Sequence, residues 1–323
     1  TRSFPIESEV TEIGSRFGGL VYVRVPGGVD VGTIEVTIEG AIEAPRYVHG
    51  VTTLEQWQDI ERNHPAPFAE IGSGKFVMSM ESEKIRDLDD PVAIMNFWDT
   101  VQDFNADLDG TSHDRVREER FAFDRQISAG WMHSGYPLMA FVSATTELLD
   151  VAAIQEGGAW GPFHELGHNH QYMPWVLPGT TETTCNLWSV YISVELLGLD
   201  IGVAHGAVGE GKREERIQAY IDGGKDFSGA WSVWTALDTH LQLQEAFGWE
   251  LWTDTFGLYR TLAAQDTPSE TQDKIDWFVV HTSTIANKDL TDFYLAWGFP
   301  LSDWVLSMNS ALEPWDDHPM LGL

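Results

Sequence analysis

Apolar and polar positions alternate near the start of the chain and change period further on. From Phe17 to about Ile42 the text is glycine-punctuated and β-branched: Gly18-Gly19-Leu20-Val21-Tyr22-Val23-Arg24-Val25, a Gly27-Gly28 turn, then Thr33-Ile34-Glu35-Val36-Thr37-Ile38. A period of two bounded by turn residues predicts short strands, and hence a small β-rich N-terminal region over residues 1–60. Pro65-Ala66-Pro67 separates it from a larger unit over residues 61–323. In that unit, Asp90-Pro91 opens a predicted helix running through Phe97-Trp98 to about Phe104, with proline at an early helical position that needs no N–H. Arg120 to Ile127 alternates like a strand. After about residue 150 apolar residues recur at three- and four-residue spacing, which predicts helices over Ser232 to Phe247, Glu250 to Leu262 and Thr271 to Ile285. The fold class is therefore α+β, with strands early and helices late.

Composition narrows the function classes. With 323 residues the chain can bury a large core, and fourteen tryptophans help to supply it. Fifty acidic residues against nineteen basic ones give a formal net charge of −31, a field that repels phosphate backbones and anionic membrane surfaces. Nucleic-acid binding is thereby excluded, and a salty or extracellular setting suits the charge. Cys185 is the single cysteine, so no intrachain disulfide can form. No apolar run reaches the roughly 18 residues of a membrane span. There is no basic-then-apolar leader at the start, and a chain that opens on Thr1 reads as a trimmed or mature piece of a longer precursor.

One short run carries chemistry. His164-Glu165-Leu166-Gly167-His168 places two histidines at i and i+4, so on a helix both rings share one face and can bind a single Zn²⁺. Glu165 sits beside the first ligand, where its carboxylate can reach a water at the ion's open position without itself binding, as a general base must. The composition makes roughly 0.06 matches to such a pattern by chance, so accident is a poor explanation. Gly161-Pro162 marks a helix start just ahead, and Gly167 leaves room for a neighbouring element. A catalytic ion needs a third protein ligand. His170, two residues beyond His168, lies about 200° round the helix and should face away. Pro174, Pro178 and Gly179 break the chain, and Thr181-Glu182 opens a second apolar-periodic segment that could present Glu182 to the first helix. The same residue also reads as an ordinary acid complementing a helix dipole.

The run from Gly161 to Gln171, followed by Trp175, Gly179 and Thr181-Glu182-Thr183-Thr184-Cys185-Asn186-Leu187-Trp188-Ser189-Val190-Tyr191, resembles family sixty of the metallopeptidases, which includes viral enhancins and bacterial mucin-degrading peptidases. Gly18-Gly19-Leu20-Val21-Tyr22, Pro67-Phe68-Ala69-Glu70, His133-Ser134-Gly135-Tyr136-Pro137, Phe247-Gly248-Trp249-Glu250 and Trp297-Gly298-Phe299-Pro300 extend the likeness over nearly the whole chain. In that family a downstream Glu completes the zinc site after a variable gap, and Glu182 falls within it. The resemblance implies a mostly helical zincin domain of gluzincin type with one Zn²⁺ held by His164, His168 and Glu182. It also implies a secreted or cell-surface endopeptidase, monomeric and not membrane-inserted, that cleaves O-glycosylated, mucin-type proteins through a metal-activated water. Relatives often carry separate carbohydrate-binding modules, and none is evident here.

The remaining candidates carry two readings each. His133 and Tyr136, in a loop the resemblance marks out, are candidates for an oxyanion donor or a substrate contact, or for structural residues with one polar tip satisfied. Asn186, one turn after Glu182, could support a metal ligand or simply lie on a helix surface. Cys185 reads as a small buried hydrophobe rather than a ligand, His240 and His281 as core residues, and Tyr259 and Trp249 as packing. Two rival functions stand beside the peptidase: a non-catalytic glycan- or protein-binding member of the same fold, and a metal hydrolase of a non-peptide substrate.

Overall fold

A computed structural model describes residues 2–209 and 211–323. Its sheet has six strands, β1 (Arg46–Val48), β2 (Phe68–Gly72), β3 (Phe76–Glu81), β4 (Glu119–Asp124), β5 (Met132–His133) and β6 (Leu138–Phe141), in the order β1-β2-β3-β4-β6-β5. β2/β3 and β5/β6 pair antiparallel, while β1/β2, β3/β4 and β4/β6 pair parallel. Strand alternation sends Ala69, Ile71, Phe76, Met78, Met80, Phe121 and Leu138 into one core. There they meet the helix Val92–Asp109, whose Trp98 stacks on Phe76 at 4.7 Å. Tyr47 and Trp57, which precede residue 61, belong to the same core.

The strands expected over residues 17–42 do not form, and the sheet begins only at Arg46. An alternating sequence needs a ladder partner and a surface to cover. Among the described residues this segment has neither: Ile34 and Ile38 are each 51% exposed. Tyr22 ties it down, donating its hydroxyl to Glu70 Oε2 and lying 5.0 Å from the Arg120 guanidinium, on the face of the sheet opposite the core.

Elsewhere the expected elements are present. The proline-initiated helix spans Val92–Asp109, the strand near Arg120 spans Glu119–Asp124, and the three late helices span Val233–Phe247, Glu250–Thr261 and Thr271–Ala286. These helices build a second core around Trp175, Trp188, Trp231, Trp252 and Trp297, all 2% exposed or less. Truncating any such ring to alanine costs about 3–5 kcal/mol, so the aromatic count translates directly into rigidity of this half. Two further helices, Trp160–His170 and Thr181–Tyr191, pack against each other between the two cores. Phe163 and Leu166 face the sheet-side core, while Leu187, Trp188 and Val190 face the helical one.

Candidate metal centre

The motif helix Trp160–His170 starts after Gly158 at φ +75° and carries Pro162 in its first turn, where backbone N–H groups have no intrahelical acceptor. It stops at Gln171, whose ψ of 137° leaves the helical region. The partner helix begins at Thr181 and presents Glu182 from its first turn. What lets the two approach is Gly167. A Cβ there would lie 2.4 Å from the backbone oxygen of Cys185, so any side chain would force the helices apart.

This close contact brings three side chains together. His164 Nε2 and His168 Nε2 are 3.1 Å apart, and Glu182 Oε2 lies 3.2 Å from the first and 3.3 Å from the second. The tautomers follow from the amides around them. Asn186 donates its Nδ2 to the Glu182 carbonyl at 2.8 Å, which turns its Oδ1 to His164 Nδ1 at 2.6 Å. Gln171 donates its Nε2 to the Thr181 carbonyl at 2.7 Å and to Thr184 Oγ1, which turns its Oε1 to His168 Nδ1 at 2.9 Å. Both Nδ1 atoms therefore carry the proton, and both Nε2 atoms present bare lone pairs toward a carboxylate oxygen. Three acceptors facing one another without a donor are unfavourable unless a cation sits among them. A tetrahedral ion with bonds of about 2.0–2.1 Å separates its ligands by roughly 3.3 Å, so the donor set fits zinc in spacing and in kind.

Burial of this group is graded. The side chains of His164 and His168 are 19% and 12% exposed, while that of Glu182 is 59% exposed, which leaves the centre open to solvent on the glutamate side. Glu165 is half-buried, and that burial is the main reason its carboxyl is held above the ordinary range; the two imidazoles lower it and Glu182 raises it further. Cys185 brings its Sγ to 3.5 Å from His164 Nδ1, close enough to join the metal-binding group on distance alone. Burial pushes its thiol well up, and Sγ donates to the Thr181 carbonyl, so it behaves as a neutral buried group.

The 133–136 loop meets the centre through its main chain. The Ser134 main chain lies near the Glu165 carboxyl and favours its charged form. Asn169 clamps the loop to the motif helix, accepting from the Gly135 N–H at 3.1 Å and donating to the Gly135 carbonyl and to Glu119. His133 spends its ring nitrogens on Ser128 Oγ and the Ser134 carbonyl, both at 2.9 Å. Tyr136 donates its hydroxyl to Glu118, and its ring lies under Arg117. His170 points into the protein, where its Nδ1 meets Asp109 at 3.0 Å. His240 is buried among Trp231, Trp252 and Phe278, and His281 stacks on Trp277. Sequence reasoning passed over Gln171 and Asn169. The three-residue step from His168 to Gln171 was the available signal for the former; for Asn169 there was none, because its partners are some 34 and 50 residues away in sequence.

A family model described as peptidase M60, enhancin and enhancin-like, matches residues 40–298. The chain belongs to the peptidase M60 family. The family resemblance read from the sequence is thus borne out. This M60 chain is 41% identical over 309 residues to TRPM8 channel-associated factor 2 of Bos taurus, an alignment covering 95% of the chain and 34% of that relative. It accordingly spans about a third of the length of the curated relatives it matches. Among solved structures, it is similar to a functionally unknown conserved protein from Bacillus anthracis str. Ames, solved as a mutant, with a TM-score of 0.74 and 21% identity over 85% of this chain and 58% of that one. It is also similar to a metallopeptidase in complex with Tn antigen, with a TM-score of 0.65 and 16% identity over 84% of this chain and 56% of that one. At these identities the likeness establishes a shared fold. No helix among the described residues is long and apolar enough to cross a membrane.

Proposed function

We propose that this M60 chain is a zinc-dependent endopeptidase acting on O-glycosylated, mucin-type proteins outside the cell, as a monomer. The observation that carries the reading is the triangle of His164 Nε2, His168 Nε2 and Glu182 Oε2, with the Glu165 carboxyl beside it. In this reading those three side chains hold one Zn²⁺, and Asn186 keeps His164 in its ligating tautomer. When bound, zinc supplies a Lewis acid that acidifies water and polarises a carbonyl. Glu165 takes a proton from the attacking water and passes it to the leaving amine. Its half-buried position beside the ligand triangle supports that role. The loop bearing His133 and Tyr136 lies beside Glu165, with the two side chains bracing it. The glycoprotein substrate is supported by the shared fold of the metallopeptidase solved with Tn antigen.

A second reading is favoured by the name of the Bos taurus relative, which describes a channel-associated factor. On that reading the chain binds a membrane protein without cleaving it. An intact base beside an intact ligand set speaks for catalysis, since binding alone requires neither. The experiment is digestion of a defined O-glycopeptide panel with and without a chelator, with products read by mass spectrometry. Chelator-sensitive peptide-bond cleavage is expected, and Glu165→Gln should retain zinc while turnover falls about 10²–10⁴-fold. Undiminished turnover in that variant would remove Glu165 as the base. Absence of cleavage across the panel by a zinc-loaded chain would favour the binding reading, and products cut elsewhere than at peptide bonds would indicate a different hydrolase.

A further inference from the structure

We infer that Gln171 is a positioning residue for zinc: a strut that sets both the tautomer of His168 and the gap between the two ligand-bearing helices. The inference rests on the proposed ligand set and adds to it a residue that no part of that reading uses. Gln171 is the first residue beyond the motif helix, and its own backbone N–H closes that helix by bonding the Gly167 and His168 carbonyls. From this fixed root its side chain reaches in two directions. The oxygen end meets His168 Nδ1 at 2.9 Å, and the nitrogen end reaches the Thr181 carbonyl at 2.7 Å and Thr184 Oγ1 at 2.5 Å.

Only a carboxamide can do both jobs, because one end must accept and the other must donate. The donor end is anchored beside Glu182, on the residue before it and the residue two after it. One planar group therefore spans from a histidine on the first helix to the turn that carries the carboxylate on the second. One turn earlier on the same helix, Gly167 lets the helices touch at Cys185. Gly167 allows the approach, and Gln171 limits how the two helices slide and turn once they have met. Asn186 works from the other helix: rooted on Thr181–Tyr191, it reaches across to orient His164, while its nitrogen bonds the Glu182 carbonyl within its own helix and so leaves the start of that helix to Gln171.

The test compares zinc affinity across variants of the 323-residue chain, by competition with a chromophoric chelator at fixed pH. Gln171→Leu removes both ends and should raise the zinc Kd about 10–100-fold. Gln171→Glu keeps an acceptor for His168 but sets a carboxylate against the Thr181 carbonyl, so it too should bind zinc at least tenfold more weakly than the parent. Thr184→Val preserves shape and removes one anchor, and should raise the Kd a few fold. The visible absorption band of the cobalt-substituted protein should shift in all three, whereas the metal-free proteins in excess chelator should still unfold in one cooperative transition, as the parent does. Parent-like affinity in both Gln171 variants would overturn the inference. Parent-like affinity in Gln171→Glu with loss in Gln171→Leu would overturn the strut and leave only a tautomer contact. If the parent chain itself binds no zinc, the underlying ligand set fails, and that outcome is distinguished by the parent measurement alone.

Discussion

Two regions of this chain announce themselves with equal clarity as patterns and end differently. The segment over residues 17–42 alternates β-branched and polar residues, and the hairpin over residues 160–191 repeats apolar residues at helical spacing. The first forms no strand and leaves Val21, Val23, Ile34 and Ile38 each more than two-fifths exposed; the second is packed on both sides. Phe163 and Leu166 enter one core, Leu187 and Trp188 the other, and each helix covers the other's remaining face. A helix satisfies its backbone from within, so it needs only a surface on which to lay one stripe. A strand must find hydrogen-bond partners in another segment, and periodicity says nothing about whether one is present.

The largest effect separating the two regions is expected at Gly167. Gly167→Ala forces the backbone of the two helices apart, and a cost of about 1–3 kcal/mol in chemical denaturation should accompany a loss of zinc occupancy measured by elemental analysis. An alanine variant with parent stability and full occupancy would show that the helix contact tolerates more than the geometry allows. Comparable in size is the response of the packed half to acid. His240 is fully buried and, among the described residues, has no partner for either ring nitrogen, and burial pushes it down to about 3. Its folded pKa lies below its unfolded one, so the unfolded chain takes up the proton first. The stability is whole above about pH 6.5 and should fall between there and pH 3 with a slope of up to about 1.4 kcal/mol per pH unit from this residue. Urea titrations at pH 6.5 and 4.5 should show a shallower decline in His240→Leu than in the parent; equal slopes would assign the acid sensitivity to the carboxylates. The smallest effect belongs to the unpaired segment. Val36→Thr combined with Ile38→Thr should move stability by no more than about 0.5 kcal/mol, since both side chains remain about half exposed. A loss of several kcal/mol there would reveal a partner for the segment and dissolve the contrast.

Much of the centre could be read from the residues because its chemistry is local. His164, Glu165 and His168 lie within one turn and a half, and the breakers Pro174, Pro178 and Gly179 make a return helix the simplest continuation, which brings Glu182 back to them. The late helices were legible for a similar reason, being long and strongly periodic. The order of the sheet was not, since parallel neighbours such as β4 and β6 are paired by a chain excursion that leaves no periodic trace. Gln171, three residues after His168, left only a spacing signal, and Asn169 left none. An amide in sequence is chemically silent until its partners are known, and here they include backbone groups of Thr181 and Gly135 that any residue would supply.

The connection between the two ligand-bearing helices is not a surface loop. Trp175, Val176 and Leu177 lie inside the helical core, with Trp175 stacked on Phe256 at 4.5 Å and edge-on to Tyr259. Because this plug joins the ligands covalently, the binding of an ion and the stability of the aromatic interior are thermodynamically linked. Metal affinity is then also a measure of how firmly the far side of the molecule is closed, and a substitution at a tryptophan remote from the imidazoles would be felt as a change in chelator sensitivity.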